Sequence, residues 1–276
     1  MKLSRREFTR SLGFGISSMT CLALSGCGKR TGISENGNSA SAAFPKIGFD
    51  GFFVGQRGVD DAQALIETAI ENGFHFFDNA TTYIEGRSER RYGFYLTPKY
   101  RDQIFLQSRT KSRTKSVAQV DIDLTLARHQ TDYLDSYLMN SVVPYHRDHQ
   151  VEMPDEDVFE ALIEAKKGGK TKRIGIRTRE DTTALQALLK TYESEVDCVM
   201  VPNSLSPSDK AIVHCKKHGI TVIGAVDREA QPNWLKSGPD AALPQAHLDS
   251  WVLSLRTPQE VASFASKAKG LKGGIS

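Results

Sequence analysis

The chain is poor in cysteine, with four in 276 residues, and two of these, Cys21 and Cys27, fall within the first 27. The other two cannot build a disulfide scaffold. Cys198 lies in an apolar strand-like run and Cys215 in a helical one, which favours two small buried side chains over a bridge. No Cys/His cluster with metal-ligand spacing is expected, so no metal is assigned. A dominant charge is missing too: 36 basic against 33 acidic residues leave a formal +3, part of it at the N-terminus. Without a basic stripe interleaved with aromatics, nucleic acid is not implied as a partner. Long apolar runs are lacking, since the best candidate, 12–24, is short and rich in Gly and Ser. Nor does Gly48-Phe49-Asp50-Gly51 read as a glycine-rich phosphate loop opening a helix.

Residues 1–27 do not read as fold. Ser4-Arg5-Arg6-Glu7-Phe8-Thr9-Arg10 resembles the twin-arginine export motif, and Leu24-Ser25-Gly26-Cys27 resembles a bacterial lipobox. The resemblance implies passage through the twin-arginine export machinery, acylation of Cys27, and a lipid anchor in the cell envelope, facing the periplasm. Residues 28–44, rich in Gly, Ser, Asn and Ala, read as a flexible tether. The remaining 45–276 is about one large domain in length.

That domain alternates strand and helix. Strands are expected at 46–54, 74–77, 103–107, 131–139, 173–176, 196–201, 220–225 and 248–253. Helices are expected at 59–72, 88–96, 116–129, 154–168, 180–192, 207–217 and 257–268. The helix at 59–72 follows from Ala62, Leu65, Ile66, Ala69 and Ile70, which share one face. That at 154–168 has Pro at its start and Gly at its end. Eight alternating units predict an α/β fold of the (β/α)8 type, a closed parallel barrel with function at the C-terminal strand ends. Residues 227–247 hold three prolines and little helical period, so the seventh helix is expected to be reduced or missing. A doubly wound open sheet is the alternative architecture.

One stretch organises the rest, Gly73-Phe74-His75-Phe76-Phe77-Asp78-Asn79-Ala80-Thr81-Thr82-Tyr83-Ile84-Glu85-Gly86-Arg87-Ser88-Glu89. An apolar strand ends in a carboxylate, Asp78. A polar loop then carries Tyr83, and a helix opens with Ser88 as its expected cap. An acid at a strand end and a phenol in the next loop suit an active site of this fold.

The stretch resembles the signature of the aldo-keto reductases. The likeness continues at Thr131-Asp132-Tyr133-Leu134-Asp135, Arg173-Ile174-Gly175-Ile176 and Leu255-Arg256-Thr257-Pro258-Gln259-Glu260. It implies an NAD(P)-dependent carbonyl or alcohol oxidoreductase. The family's tetrad of Asp, Tyr, Lys and His matches Asp78 and Tyr83 in its first two members, with the tyrosine as general acid. Arg109 stands where the lysine belongs, with Lys111 two residues on. Asn140 stands where the histidine belongs, with His146 and His149 in the following loop. Arginine can supply the lysine's charge. Asparagine can orient a carbonyl but cannot relay a proton.

The implied cofactor, NADP(H), meets further departures. Arg177 and Thr178 replace the Ser-Asn pair that holds the nicotinamide carboxamide. Asn203 fits a family position after the sixth strand, but Met200 stands where a glutamine is common. Ile223-Gly224-Ala225 offers no stacking aromatic. Only Arg256, after the eighth strand, is expected from the resemblance to keep a phosphate contact. Weak or absent NADP(H) binding is therefore expected. Arg109, Arg177, Arg179, Arg228 and Arg256 are expected around one mouth, with Asp78 and Asp227 as possible partners.

Two functions remain open at this point. One is a reductase with an altered tetrad, working through Tyr83. The other is a non-redox binding barrel whose arginine-rich mouth holds a small anionic or sugar-like molecule.

Overall fold

The computed structural model describes residues 44–140, 156–179, 182–226, 247–268 and 275. Its eight strands are β1 (Ile47–Asp50), β2 (Phe76–Asp78), β3 (Phe105–Thr110), β4 (Ser136–Met139), β5 (Ile174–Arg177), β6 (Cys198–Pro202), β7 (Thr221–Ala225) and β8 (Ser250–Leu253). They close a barrel in chain order, every pair parallel, with β8 returning to β1. This is the (β/α)8 barrel that the alternation predicts. The helices described are α1 (Phe52–Gln56), α2 (Val59–Glu71), α3 (Arg87–Tyr95), α4 (Thr97–Tyr100), α5 (Lys115–His129), α6 (Glu156–Lys167), α7 (Thr183–Tyr192), α8 (Lys210–His218) and α9 (Pro258–Ala268). β7 and β8 are neighbours, as expected; residues 227–246, where the seventh helix is expected to be reduced, lie outside the described residues.

Several local expectations change: β4 begins only at Ser136 and not at 131, and β3 starts at Phe105 and runs on to Thr110, past 107. The first strand is shorter than 46–54, and Gly51 does open a helix, the five residues of α1. Asp50 makes the turn: its Oδ1 accepts the Phe52 amide at 2.7 Å while the Gly51 amide donates to the Asp78 carbonyl at 2.9 Å. In α3 the cap is Gly86, left-handed at φ 73°, not Ser88. Ser88 lies in the first turn, and its hydroxyl donates to the Gly51 carbonyl at 2.6 Å, tying α3 to the exit of β1.

The larger core lies between sheet and helices, from Ile66 and Phe77 round to Leu162, Leu188 and Phe264. A smaller one fills the barrel with Phe76, Leu138, Cys198, Met200, Ile223 and Val252. Gly175 leaves room for it, because a Cβ there would lie 2.4 Å from the Cys198 carbonyl oxygen. Cys198 and Cys215 are both free and buried, as expected.

Three aspartates repeat one device where the even strands begin. Asp135 accepts the Leu106 amide at 3.0 Å, Asp197 that of Ile174 at 2.8 Å, and Asp249 that of Val222 at 2.8 Å. Each also meets a basic side chain from the helical layer or the loops: Arg101 with Lys172, Lys166, and Lys216 respectively. Buried strand-end amides thus find acceptors whose charge is balanced from outside. The opposite rim, where the strands end, is left for chemistry.

Candidate functional site

Strand register builds the site first. Asp50 is aligned with Asp78, and Asp78 with Gln107, so β1, β2 and β3 bring two carboxylates and an amide side by side. All three side chains are buried. Two neighbouring carboxylates in a dry place repel, and a cation must offset them. Arg109, on β3 and 1% exposed, supplies it. Its Nη1 donates to both oxygens of Asp78 at 2.6 Å, and Gln107 Nε2 donates to Oδ1 at 2.8 Å. Arg109 is therefore no part of a solvated basic loop, whereas Lys111 is exposed.

Tyr83 enters from the loop after β2. Ile84 and Glu85 follow it at φ 48° and 55° and lead into Gly86, a run of left-handed residues that costs a β-branched side chain energy. This turn sets the phenol over the strand ends. Arg109 Nη2 donates to the Tyr83 hydroxyl, and that hydroxyl donates to Asp50 Oδ2 at 2.7 Å. Phe52 meets the Tyr83 ring edge-on, with centroids 5.3 Å apart. Three members of the expected tetrad are thus joined, with Arg109 bonded to both Asp78 and Tyr83.

The charges at the mouth shape one another. Burial raises the Asp78 pKa above the usual carboxylate value; Arg109 works against this and the nearby Asp50 charge adds to it. Burial also disfavours the Arg109 cation, but Asp78, Tyr83 and Asp50 outweigh it and hold the guanidinium above its usual value. Arg177, the last residue of β5, is pushed down to about 10, first by burial and then by Arg109. It remains a cation near neutrality. Its Nη1 donates to Asn140 Oδ1 at 3.2 Å, which brings the fourth expected residue to the edge of the cluster. Its Nε is buried without a hydrogen-bond partner.

The remaining expected positions are more dispersed. Thr178 is buried just after β5, and its amide donates to the Met200 carbonyl at 2.9 Å. Asn203 is half-buried after β6, its amide donating to the Ala225 carbonyl at 3.1 Å. The Arg256 guanidinium lies 5.4 Å from the centre of the Phe53 ring, and its carbonyl accepts from Arg57 at 2.7 Å. Arg179 is exposed, and its charge is among those that lower the Arg177 pKa. Cys27, His146, His149, Asp227 and Arg228 lie outside the described residues.

Sequence reading missed three participants. Asp50 ends β1 as Asp78 ends β2, and that shared strand-end position was the available signal. Gln107 carried none. Glu89 is fully buried under the mouth, where it accepts from Ser108 at 2.8 Å, Thr125 at 3.0 Å and Arg128 at 3.0 Å. A further correction concerns metal-ligand spacing. His214 and His218, four residues apart on α8, converge with Glu193.

Two positions bear on a nicotinamide ring seated as the family resemblance implies. At the carboxamide position Arg177 is turned to Asn140. Among the described residues no aromatic side chain stands on β7, where Ile223 and Gly224 are buried. A Cβ on Gly224 would meet Leu248 at 2.7 Å and Trp251 at 3.3 Å, so that position is already filled from β8 and the residues before it.

Comparison with known proteins shows the family and the fold. The sequence model of the Aldo/keto reductase family matches residues 51–227. A D-threo-aldose 1-dehydrogenase from a Pseudomonas species is 25% identical over 193 residues, covering 59% of this chain and 58% of that protein, so the chain spans less than two-thirds of that relative. An aldo-keto reductase from Bacillus halodurans, in holo form, superposes with a TM-score of 0.66 at 16% identity, over 82% of this chain and 87% of that one. One from Klebsiella pneumoniae in complex with NADPH gives 0.66 at 20% identity, over 81% and 85%. These structural likenesses show the fold.

Proposed function

The chain belongs to the aldo/keto reductase family, and from that membership we propose an oxidoreductase that interconverts a carbonyl and an alcohol on a small molecule, with Tyr83 as the proton donor and acceptor. One observation carries the reading: Arg109 holds the buried Asp78 carboxylate and the Tyr83 hydroxyl at once. A phenol normally titrates near ~10, too high to give up a proton readily at neutrality. A fixed cation at its oxygen favours the phenolate left after the proton passes to a carbonyl oxygen. Arginine does this as lysine would, and its fork can contact acid and phenol together. Asn140, held by Arg177, can orient the carbonyl but cannot relay its proton.

NADP(H), the family's redox partner, is expected to bind weakly, a reading supported by Arg177 turned to Asn140 and by the lack of an aromatic on β7. The activity named for the Pseudomonas relative makes aldoses the first substrates to assay. Purified protein is titrated with NADPH by nucleotide fluorescence, and aldose oxidation and aldehyde reduction are measured in the wild type and Tyr83→Phe. Weak binding is expected, with slow turnover that falls at least ~100-fold in the variant. Turnover unaffected by Tyr83→Phe would overturn the assignment.

A second reading rests on the same hydroxyl, which donates to Asp50 and not into the mouth. A barrel used only for binding would keep it so. In that case no nucleotide binds, while sugar acids raise the melting temperature of the wild type and not of Arg177→Ala.

The N-terminal motifs support a third element of the reading, an exported lipoprotein anchored in the envelope and facing the periplasm. Replacing Arg5 and Arg6 by lysine should retain the protein in the cytoplasm, since lysine keeps the charge without the fork. Cys27→Ala should abolish lipid labelling. Normal export of the double-lysine variant, or labelling without Cys27, would refute it.

A further inference from the structure

The barrel carries a second cluster of chemically capable side chains, remote from Tyr83. β6 begins at Cys198, shortly after Glu193 closes α7, and β7 begins at Thr221, shortly after His218 ends α8. The cluster therefore lies at the end of the barrel where strands begin, opposite the mouth. We propose that Glu193, His214 and His218 bind one divalent transition-metal ion of the zinc class and thereby tie α7 to α8.

Spacing is the first argument. Residues four apart on a helix share a face, and His214 and His218 stack with ring centroids 4.4 Å apart at 23°. Two histidines so placed are a common way for a helix to offer two ligands. The third comes from the neighbouring helix: Glu193 Oε2 lies 3.1 Å from His214 Nε2, and Oε1 lies 2.8 Å from His218 Nδ1. All the candidate ligand atoms fall within 4.8 Å of one another. Metal–ligand bonds of about 2.05 Å in a tetrahedron put ligand atoms about 3.3 Å apart. Small side-chain adjustments would reach that geometry without moving a helix.

The second argument is an unpartnered ring nitrogen. His214 Nε2 is buried and makes no hydrogen bond, with the Glu193 carboxylate 3.1 Å away. An atom in that state is costly unless something else engages it. Both α7 and α8 also end here, and the partial negative charge of two helix C-termini favours a cation. The side chains stay accessible, at 27% exposure for each histidine and 40% for the glutamate, leaving a fourth position for water. Two nitrogens and one carboxylate oxygen suit Zn²⁺ and its neighbours and not Mg²⁺ or Ca²⁺. Lys190 and Lys210 line the groove that also touches Glu193 and His214. Their charges hold the expected affinity to the micromolar range.

Full-length protein carrying no affinity tag and stripped with a chelator is titrated with Zn²⁺ by calorimetry and melted with and without the metal. Co²⁺ is added separately and its visible spectrum recorded. One equivalent is expected to bind, with a melting temperature raised by about 5 °C at saturation. The Co²⁺ spectrum should indicate nitrogen and oxygen ligands. Uptake should be lost in His214→Ala/His218→Ala and weakened at least tenfold in Glu193→Gln, a surface change that leaves the helices intact. The milder pair His214→Asn/His218→Asn serves if the alanine pair fails to fold. No saturable uptake by the wild type, or equal uptake by the histidine variants through His146, His149 or His247, would overturn the proposal.

Discussion

The Tyr83 hydroxyl donates to Asp50 Oδ2 at 2.7 Å while accepting from Arg109. Its proton is thus directed at a carboxylate of the first strand and not into the open mouth. To protonate a substrate the phenol must first give up a charge-assisted hydrogen bond, a class worth ~1.5–3 kcal/mol. Asp50→Asn weakens that bond and should raise any Tyr83-dependent reduction rate by about tenfold, equivalent to ~1.4 kcal/mol of barrier. Initial rates for the wild type and variant decide it. A slower variant would make Asp50 a proton relay.

Arg109→Met should destabilise the fold by about 3–5 kcal/mol, because it strands the fully buried Asp78 next to Asp50. Arg109→Lys should cost less, since a compact ammonium keeps the charge but not the fork. Urea unfolding at pH 7 measures both. A methionine variant within ~1 kcal/mol of the wild type would show that the pair is not a structural ion pair.

His129 gives stability a dependence on pH. Burial holds its pKa below the usual 6.5; Glu89 opposes this. Its Nδ1 donates to the Thr125 carbonyl at 2.9 Å, and its Nε2 is buried without a partner, so a second proton would be unpaired. The folded value is depressed, so the contribution is complete above the unfolded pKa and is lost as pH falls toward the folded one. Between pH 7.5 and 5.5 the loss reaches up to about 1.4 kcal/mol. His129→Leu should remove that part of the slope, read as urea midpoints at the two pH values. An unchanged slope would place the acid sensitivity elsewhere.

Cys198 and Cys215 are each pushed up to about 12, chiefly by burial. Raised thiol values mean that their contribution to stability is complete below the ordinary value near 9 and is lost only as pH rises toward 12. At pH 8 both remain thiols, shielded from reagent. Iodoacetamide should leave the tryptic peptides carrying them unlabelled in the folded protein and label both in urea. Rapid labelling of either peptide in the folded protein would contradict the burial described for it.

Much of the fold was legible because helices and strands follow short periods. The apolar face of α2, the glycine that ends α8, and the Pro and Gly around α6 are local signals, and their elements appear within a few residues of expectation. Local chemistry was less decisive where a turn depends on a partner. Asp50 bends the chain into α1 only because the Gly51 amide meets the Asp78 carbonyl. Ser88 forsakes the cap because the Gly51 carbonyl lies within reach.

By itself the sequence determined the alternation of eight strands and their helices, and the placing of an acid, a phenol and a guanidinium at strand ends or in the loops beyond them. Those properties are written in neighbouring residues. Only the tertiary structure decided which side chains meet: Tyr83 with Asp50 across 33 residues, Arg177 with Asn140 across 37, and Glu193 with two histidines of the next helix. Strand register and helix packing set these meetings, and both are fixed by burial summed over the whole barrel, which no short stretch of sequence encodes.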